Sequence, residues 1–340
     1  MNKEYNIGLA ILRTIMCFMV VLCHCWRAVD TQGIMFFFQW TRGIAVPVFM
    51  MMSFIFAQKS LVIHNSSKMA KRFERLLIPQ VGWALIYWGA IYINSVLIEM
   101  QFEIGISDVI WQILSGHSPK LNETMWYQTN LIILTVFFLI TITIFERNYE
   151  LIFWAIALAA LFVQYSEMNM FFDSWRYELK YPLGRLIEMI PIAVVGFMIS
   201  STGLLEKIRN QRLIVSMISI SLIWLDERYN MFLPVKGYGY SGIRMIVLAW
   251  AFISLFYVFP FEKVNEKIKI VISFLTKYTM GIYCMHRLIS LFFTEIIDYL
   301  GLGIVVGSFS FCIIIYILCY VCAWSGDILL GKTKMKALFL

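Results

Sequence analysis

Apolar residues in this chain come in long runs separated by short polar segments, and the runs recur from one end to the other. A helix needs about 20 mainly apolar residues to cross the hydrocarbon core of a bilayer. That ruler places spans near 7–26, 39–57, 78–98, 126–145, 150–166, 185–200, 212–225, 243–260, 271–297 and 303–325. The expected fold is therefore all-α, a polytopic membrane protein of about ten transmembrane helices. Two runs, 151–163 and 213–225, are short enough to be read instead as re-entrant or interfacial segments. No polar interval is long enough to fold separately, so residues 1–340 are expected to form a single membrane domain with no appended soluble one. The first run follows Lys3 as a signal peptide would, but it lacks a small-residue cleavage site and reads as an uncleaved span.

Composition agrees: 61% of the 340 residues are apolar and 14% charged. The basic residues orient the spans, because short cytoplasmic loops retain Lys and Arg. With the N-terminus inside, the inner segments hold Lys3, Lys59, Lys68, Lys71, Arg72, Arg75, Arg147, Lys207, Arg209, Arg212, Lys263, Lys267, Lys269, Lys332, Lys334 and Lys336. The outer ones hold Arg27, Lys120, Arg176, Lys180, Arg228 and Lys236. Removing one span would reverse every later loop, so the bias supports ten crossings with both termini in the cytoplasm. The net charge of +7 is then a topology signal, and no nucleic-acid partner is expected. All seven cysteines lie within or at the end of apolar runs and are expected to be free thiols. Cys23-His24-Cys25 has metal-binding residue types, but helical neighbours two apart point about 200° apart and do not chelate one ion together. No metal is expected. Stretches 99–125 and 167–184 read as short interfacial structure outside, with Trp126, Tyr127, Trp175 and Tyr177 as belt aromatics.

Six basic residues remain inside the spans: Arg13, Arg42, Arg185, Arg244, Lys277 and Arg287. A charge at the bilayer centre costs about 2.5–3.5 kcal/mol even on the lenient insertion scale, so such groups usually face an interior cavity. Arg42, Arg185, Arg244 and Lys277 lie close enough to span ends for snorkelling to account for them. Arg13 does not. It precedes His24 by eleven residues, three helical turns plus about 20° and a rise of ~16 Å, so the two share a face. A polar seam follows, with a fixed cation at one end and a titratable base at the other. His286 is a second histidine within a span and shares a helix face with Tyr283, and Arg185 and Glu188 form another i,i+3 pair.

Five pieces of the chain occur in the order seen in acyltransferase family 3. They are Arg13 followed after ten residues by His24; "GIAVPVFMMMSFIFA"; "KMAKRFERLLIP"; "MWYQTNLIILTVFF"; and "MGIYCMH". The chain resembles these integral-membrane acyltransferases over about its whole length. It departs from them where Ser53 is followed by Phe54 instead of glycine, which removes an expected site of tight helix packing, and the extracytoplasmic esterase-like domain of some relatives is not expected here. The resemblance implies transfer of an acyl group, usually acetyl, from cytoplasmic acetyl-CoA as co-substrate to a hydroxyl of a surface glycan or its lipid-linked precursor, in the cell membrane. Within it, His24 is expected as base or transient acyl carrier, and Arg13 as the residue holding CoA. Lys68, Lys71, Arg72 and Arg75 would face the nucleotide phosphates, a cluster that cytoplasmic charge retention explains equally. His286, Tyr283, Arg185 and Glu188 are placed on the acceptor side or in support of His24. Membrane lipids are the remaining expected partners, and nothing in the sequence sets an oligomeric state. The competing class is a transporter, which also needs intramembrane charges, but the chain shows no internal repeat, and Pro47 and Pro191 are its only mid-span hints of a broken helix.

Overall fold

The computed structural model describes residues 6–25, 43–97, 101–166, 181–229, 240, 242–260, 264–303 and 308–340. Among them every regular element is helical: α1 (Ile7–Cys25), α2 (Ala45–Val62), α3 (Ser66–Leu97), α4 (Ile106–Ser115), α5 (Trp126–Phe145), α6 (Tyr149–Tyr165), α7 (Tyr181–Ser201), α8 (Leu204–Arg209), α9 (Arg212–Tyr229), α10 (Gly242–Val258), α11 (Glu266–Lys277), α12 (Thr279–Tyr299) and α13 (Phe309–Leu330), followed by a 3-10 turn at Lys334–Leu338. Each expected span coincides with a helix. Seven of them, α1, α2, α3, α5, α7, α12 and α13, are long and apolar enough to cross a membrane. Helices α6 and α10 are apolar but only 17 residues long. Helix α9 spans 18 residues and ends in the charged Asp226-Glu227-Arg228. The expected position of Arg42, and the outer stretch from 167 to 180, lie outside the described residues.

Two elements differ from the expected boundaries for local reasons. Helix α3 starts twelve residues before the apolar run, because Asn65 caps it by accepting the Lys68 N–H (2.9 Å). The basic stretch 68–75 is thus helical and points its side chains in set directions. Around the interrupted turn at Pro79, the Gln128 amide donates to the Leu76 carbonyl. The ninth expected span is broken at Tyr278 into α11 and α12. Thr276 just before the break donates to the Ala10 carbonyl (3.1 Å), and its hydroxyl lies 3.2 Å from that of Thr14.

That break sets the register of the functional part of the molecule. Thr14 meets Thr276 at the end of α11, and past the break the Cys17 thiol donates to the Thr279 carbonyl of α12, both with a sequence offset of 262. His24 packs on His286 of α12 at that same offset, so α1 and α12 run parallel at the same rise per residue and the two histidines lie level with each other. Helix α1 is central, packing on α2, α10, α11, α12 and α13.

Glycines mark the closest approaches. A Cβ on Gly196 of α7 would lie 2.4 Å from the Met51 carbonyl oxygen of α2. Tight packing of α2 is therefore present despite Phe54, with the small residue supplied by the partner helix. The chain end folds back into a groove between α3, α12 and α13, where Gly82, Gly281 and Gly326 leave no room for a Cβ against Leu338 and Phe339. There the Trp83 indole N–H donates to the Leu338 carbonyl (2.9 Å).

Candidate active site

At the C-terminal end of α1 the His24 ring lines a cavity of about 10 Å³, room for roughly one water. Val20, Cys23, Val46, Thr124, Trp126, Tyr240 and Tyr283 complete its wall. The loop after α4 carries Thr124 into this wall. Asn122 accepts from the Thr124 N–H (2.8 Å) and hydroxyl (2.7 Å), while the Thr124 carbonyl accepts from the Tyr283 hydroxyl. His117 of the same loop contacts the Glu123 carbonyl, and burial pushes its pKa below the usual imidazole value. It is half outside the bundle and has no place in the cavity wall.

His286 is fully buried, its ring centroid 5.3 Å from that of His24. Its Nδ1 lies 2.7 Å from the Tyr283 carbonyl and 3.3 Å from that of Ile282. Carbonyls only accept, so Nδ1 carries the proton. Arg287 reaches across to donate to the His24 carbonyl (3.3 Å). Behind the cavity, Arg185 and Glu188 form a buried ion pair at 2.7 Å. The guanidinium sits 5.2 Å from the Trp126 ring centroid and 4.9 Å from that of Tyr240.

These positions correct several expectations. Arg185 does not snorkel, because Glu188 one turn away and two aromatic faces replace its water. Arg244 does not snorkel either: it makes a bidentate pair with the buried Asp226 of α9, at 3.0, 3.0 and 2.9 Å. Lys277 remains half-exposed and pairs with Asp327 at 2.5 Å. Trp126 and Tyr127 are buried, not belt residues, because the loop after α4 and the end of α12 close over them. Cys23 lines the cavity, while Cys25 is buried against Ser290. None of the seven cysteines is in a disulfide. Among the described residues no three His, Cys, Asp or Glu side chains come together as a metal site.

The other end of the seam is built around arginines. Tyr127 of α5 lies within electrostatic reach of Arg72 of α3 and Arg13 of α1, and its ring packs at 5.7 Å on that of Tyr283, so it stands between the arginines and the histidine cavity. Arg72 donates from Nε to the Thr135 hydroxyl (3.2 Å) and lies 5.7 Å from the Phe54 ring centroid. Its Nη2 is buried and has no hydrogen-bond partner among the described residues. Lys68, Lys71 and Arg75 are exposed. Arg72 is the one of these four cations that turns inward, to the Thr135 hydroxyl and the Phe54 ring.

Sequence reasoning missed Thr124, Tyr240, Ser53 and Thr135. The polar run Gln128-Thr129-Asn130 inside an apolar helix was a usable signal for the α5 wall, whereas nothing local marks Thr124 or Tyr240.

A helical membrane bundle whose central helix carries an arginine and, three turns on, a histidine beside a cavity has the parts of a membrane-embedded transferase. The chain belongs to acyltransferase family 3, whose acyltransferase-domain model matches residues 6–324, nearly its full length. No curated protein and no solved structure matches it. Membership makes the protein a multi-pass membrane acyltransferase and decides against the transporter reading.

Proposed function

We propose that the protein moves an acetyl group from acetyl-CoA, bound from the cytoplasm, to a hydroxyl of a cell-surface glycan or its lipid-linked precursor. In this reading it crosses the cell membrane ten times with both termini in the cytoplasm, as the basic-residue bias requires. The observation that carries the proposal is the arrangement on α1, with Arg13 and Arg72 meeting around Tyr127 toward one end and His24 beside His286 at the other.

The chemistry follows from the groups. Arginine is permanently charged and matches the phosphates of CoA with paired donors, so Arg13 and Arg72 hold the donor. The buried Arg72 Nη2 supplies an N–H that none of the described residues uses. The extended pantetheine arm covers the ~16 Å to His24. There the acceptor hydroxyl gives its proton to His24 as its oxygen attacks the thioester carbonyl; the carbon–sulfur bond then breaks, and the proton passes to the departing thiolate to form CoA. The same histidine could carry the acetyl group transiently. Arg185 and Glu188, neutralising each other, and the Trp126 and Tyr240 rings shape the acceptor side.

Membranes containing the wild-type protein, given acetyl-CoA labelled in the acetyl group, should incorporate label into the envelope glycan or glycolipid fraction, and membranes with His24→Ala should not. Equal labelling by the two would overturn the proposal.

A further inference from the structure

Against His24 lies a buried polar atom that nothing described so far uses. The Nε2 of His286 is buried and has no hydrogen-bond partner among the described residues. With Nδ1–H directed at the Tyr283 and Ile282 carbonyls, the neutral ring presents at Nε2 a bare lone pair, an acceptor lacking a donor. Among the described residues two rings pack against His286. Tyr283 is one, at 6.2 Å between centroids, but its hydroxyl is committed to the Thr124 carbonyl. His24 is the other, at 5.3 Å with planes inclined by 41°; no hydrogen bond joins the two rings as they stand, and a turn of the His24 side chain within that spacing brings a ring N–H to Nε2.

We infer that His286 is a positioning residue for His24: its Nε2 accepts from one His24 ring N–H, which leaves the second His24 nitrogen bare toward the cavity. The inference rests on the reading of His24 as base. It gives His286 the task that a buried carboxylate has in a Ser-His-Asp triad, holding the imidazole in one tautomer and orientation. Here the orienting group is neutral, as suits a site where the carboxylate of Glu188 is already paired with Arg185. The proton account is simple. The acceptor hydroxyl's proton goes to the cavity-facing nitrogen of His24 and leaves with the CoA thiol. The His24–His286 hydrogen bond keeps its own proton throughout, and none is transferred to His286, whose Nδ1 is already occupied. The parallel register of α1 and α12, pinned at Cys17–Thr279 and just before it by Thr276 of α11 on Thr14, keeps the rings level. The Arg287 bond to the His24 carbonyl pins the same turn from outside.

The test uses full-length protein in lipid nanodiscs with three variants, His286→Leu, His286→Gln and His24→Ala. His286→Leu should lower kcat for acetyl transfer at least tenfold with the acetyl-CoA KM within twofold of wild type. His286→Gln, whose amide oxygen falls near the place of Nε2, should recover most of that loss. Nitrogen NMR of histidine-labelled protein should find one His24 tautomer in the wild type and in His286→Gln, and a mixture in His286→Leu. His286→Leu at near wild-type kcat while His24→Ala is inactive would overturn the pairing alone. An active His24→Ala would overturn the base reading and the pairing with it. Should the Leu variant fail to fold, the wild-type spectrum still decides, because a protonated Nε2 and bare Nδ1 at His286 contradict the proposal.

Discussion

The two ends of α1 solve opposite electrostatic problems. Toward Arg13, the Arg72 guanidinium keeps a buried N–H unused and has no carboxylate paired to it among the described residues. Toward His24, the arginine behind the cavity is neutralised by Glu188, the cavity wall is imidazole, thiol, hydroxyl and aromatic rings, and Arg287 donates to the His24 carbonyl from the other side. An end that keeps cationic hydrogen-bonding capacity in reserve is suited to an anionic donor. An end whose rear arginine is neutralised leaves Arg287 as the cation a proton on His24 works against, in place of two. One helix therefore carries two chemistries because its neighbours, not its own sequence, set the charge balance at each end.

The comparison breaks most sharply at the base. General-base catalysis contributes typically 10²- to 10⁴-fold, so His24→Ala or His24→Gln should lower the transfer rate by that range, read as acetyl incorporation per folded protein. Next come the donor-end arginines. A hydrogen bond to a charged group is worth about 1.5–3 kcal/mol, so Arg13→Ala or Arg72→Ala should weaken acetyl-CoA binding by roughly 10- to 100-fold, measured by calorimetry. Glu188→Gln sharpens the contrast from the other side. It leaves the Arg185 charge uncompensated behind the cavity, so transfer should fall while donor affinity holds. The smallest effects are expected at Lys71→Ala and Arg75→Ala, whose exposed charges are worth at most about 1 kcal/mol in binding, and at Cys25→Ala, which is buried on another face.

Much of this was readable from spacing. Eleven residues between Arg13 and His24 place them on one face of a helix whatever surrounds it, and the order of motifs pointed to the family. The register between α1 and α12 was not readable, since pairing His24 with His286 depends on a helix break at Tyr278 that apolar periodicity does not mark. Arg72 could not be separated from Lys68, Lys71 and Arg75, because the choice depends on α3 beginning at Asn65's cap and so turning one of the four inward. Snorkelling failed for Arg185 and Arg244 because it considers only distance to the headgroups. Glu188 stood in plain view three residues away, but Asp226 lies 18 residues before Arg244 on another helix, where only the packed bundle brings it close.

The division of labour along α1 is tested most directly by acetyl-CoA affinity and acetyl transfer measured on the same preparations of Arg13→Ala and His24→Ala. The account predicts that His24→Ala binds acetyl-CoA within about twofold of wild type yet transfers at least 10²-fold more slowly. Arg13→Ala should instead bind weakly and recover much of its rate at saturating donor. Loss of donor binding in His24→Ala, or wild-type binding in Arg13→Ala, would contradict it.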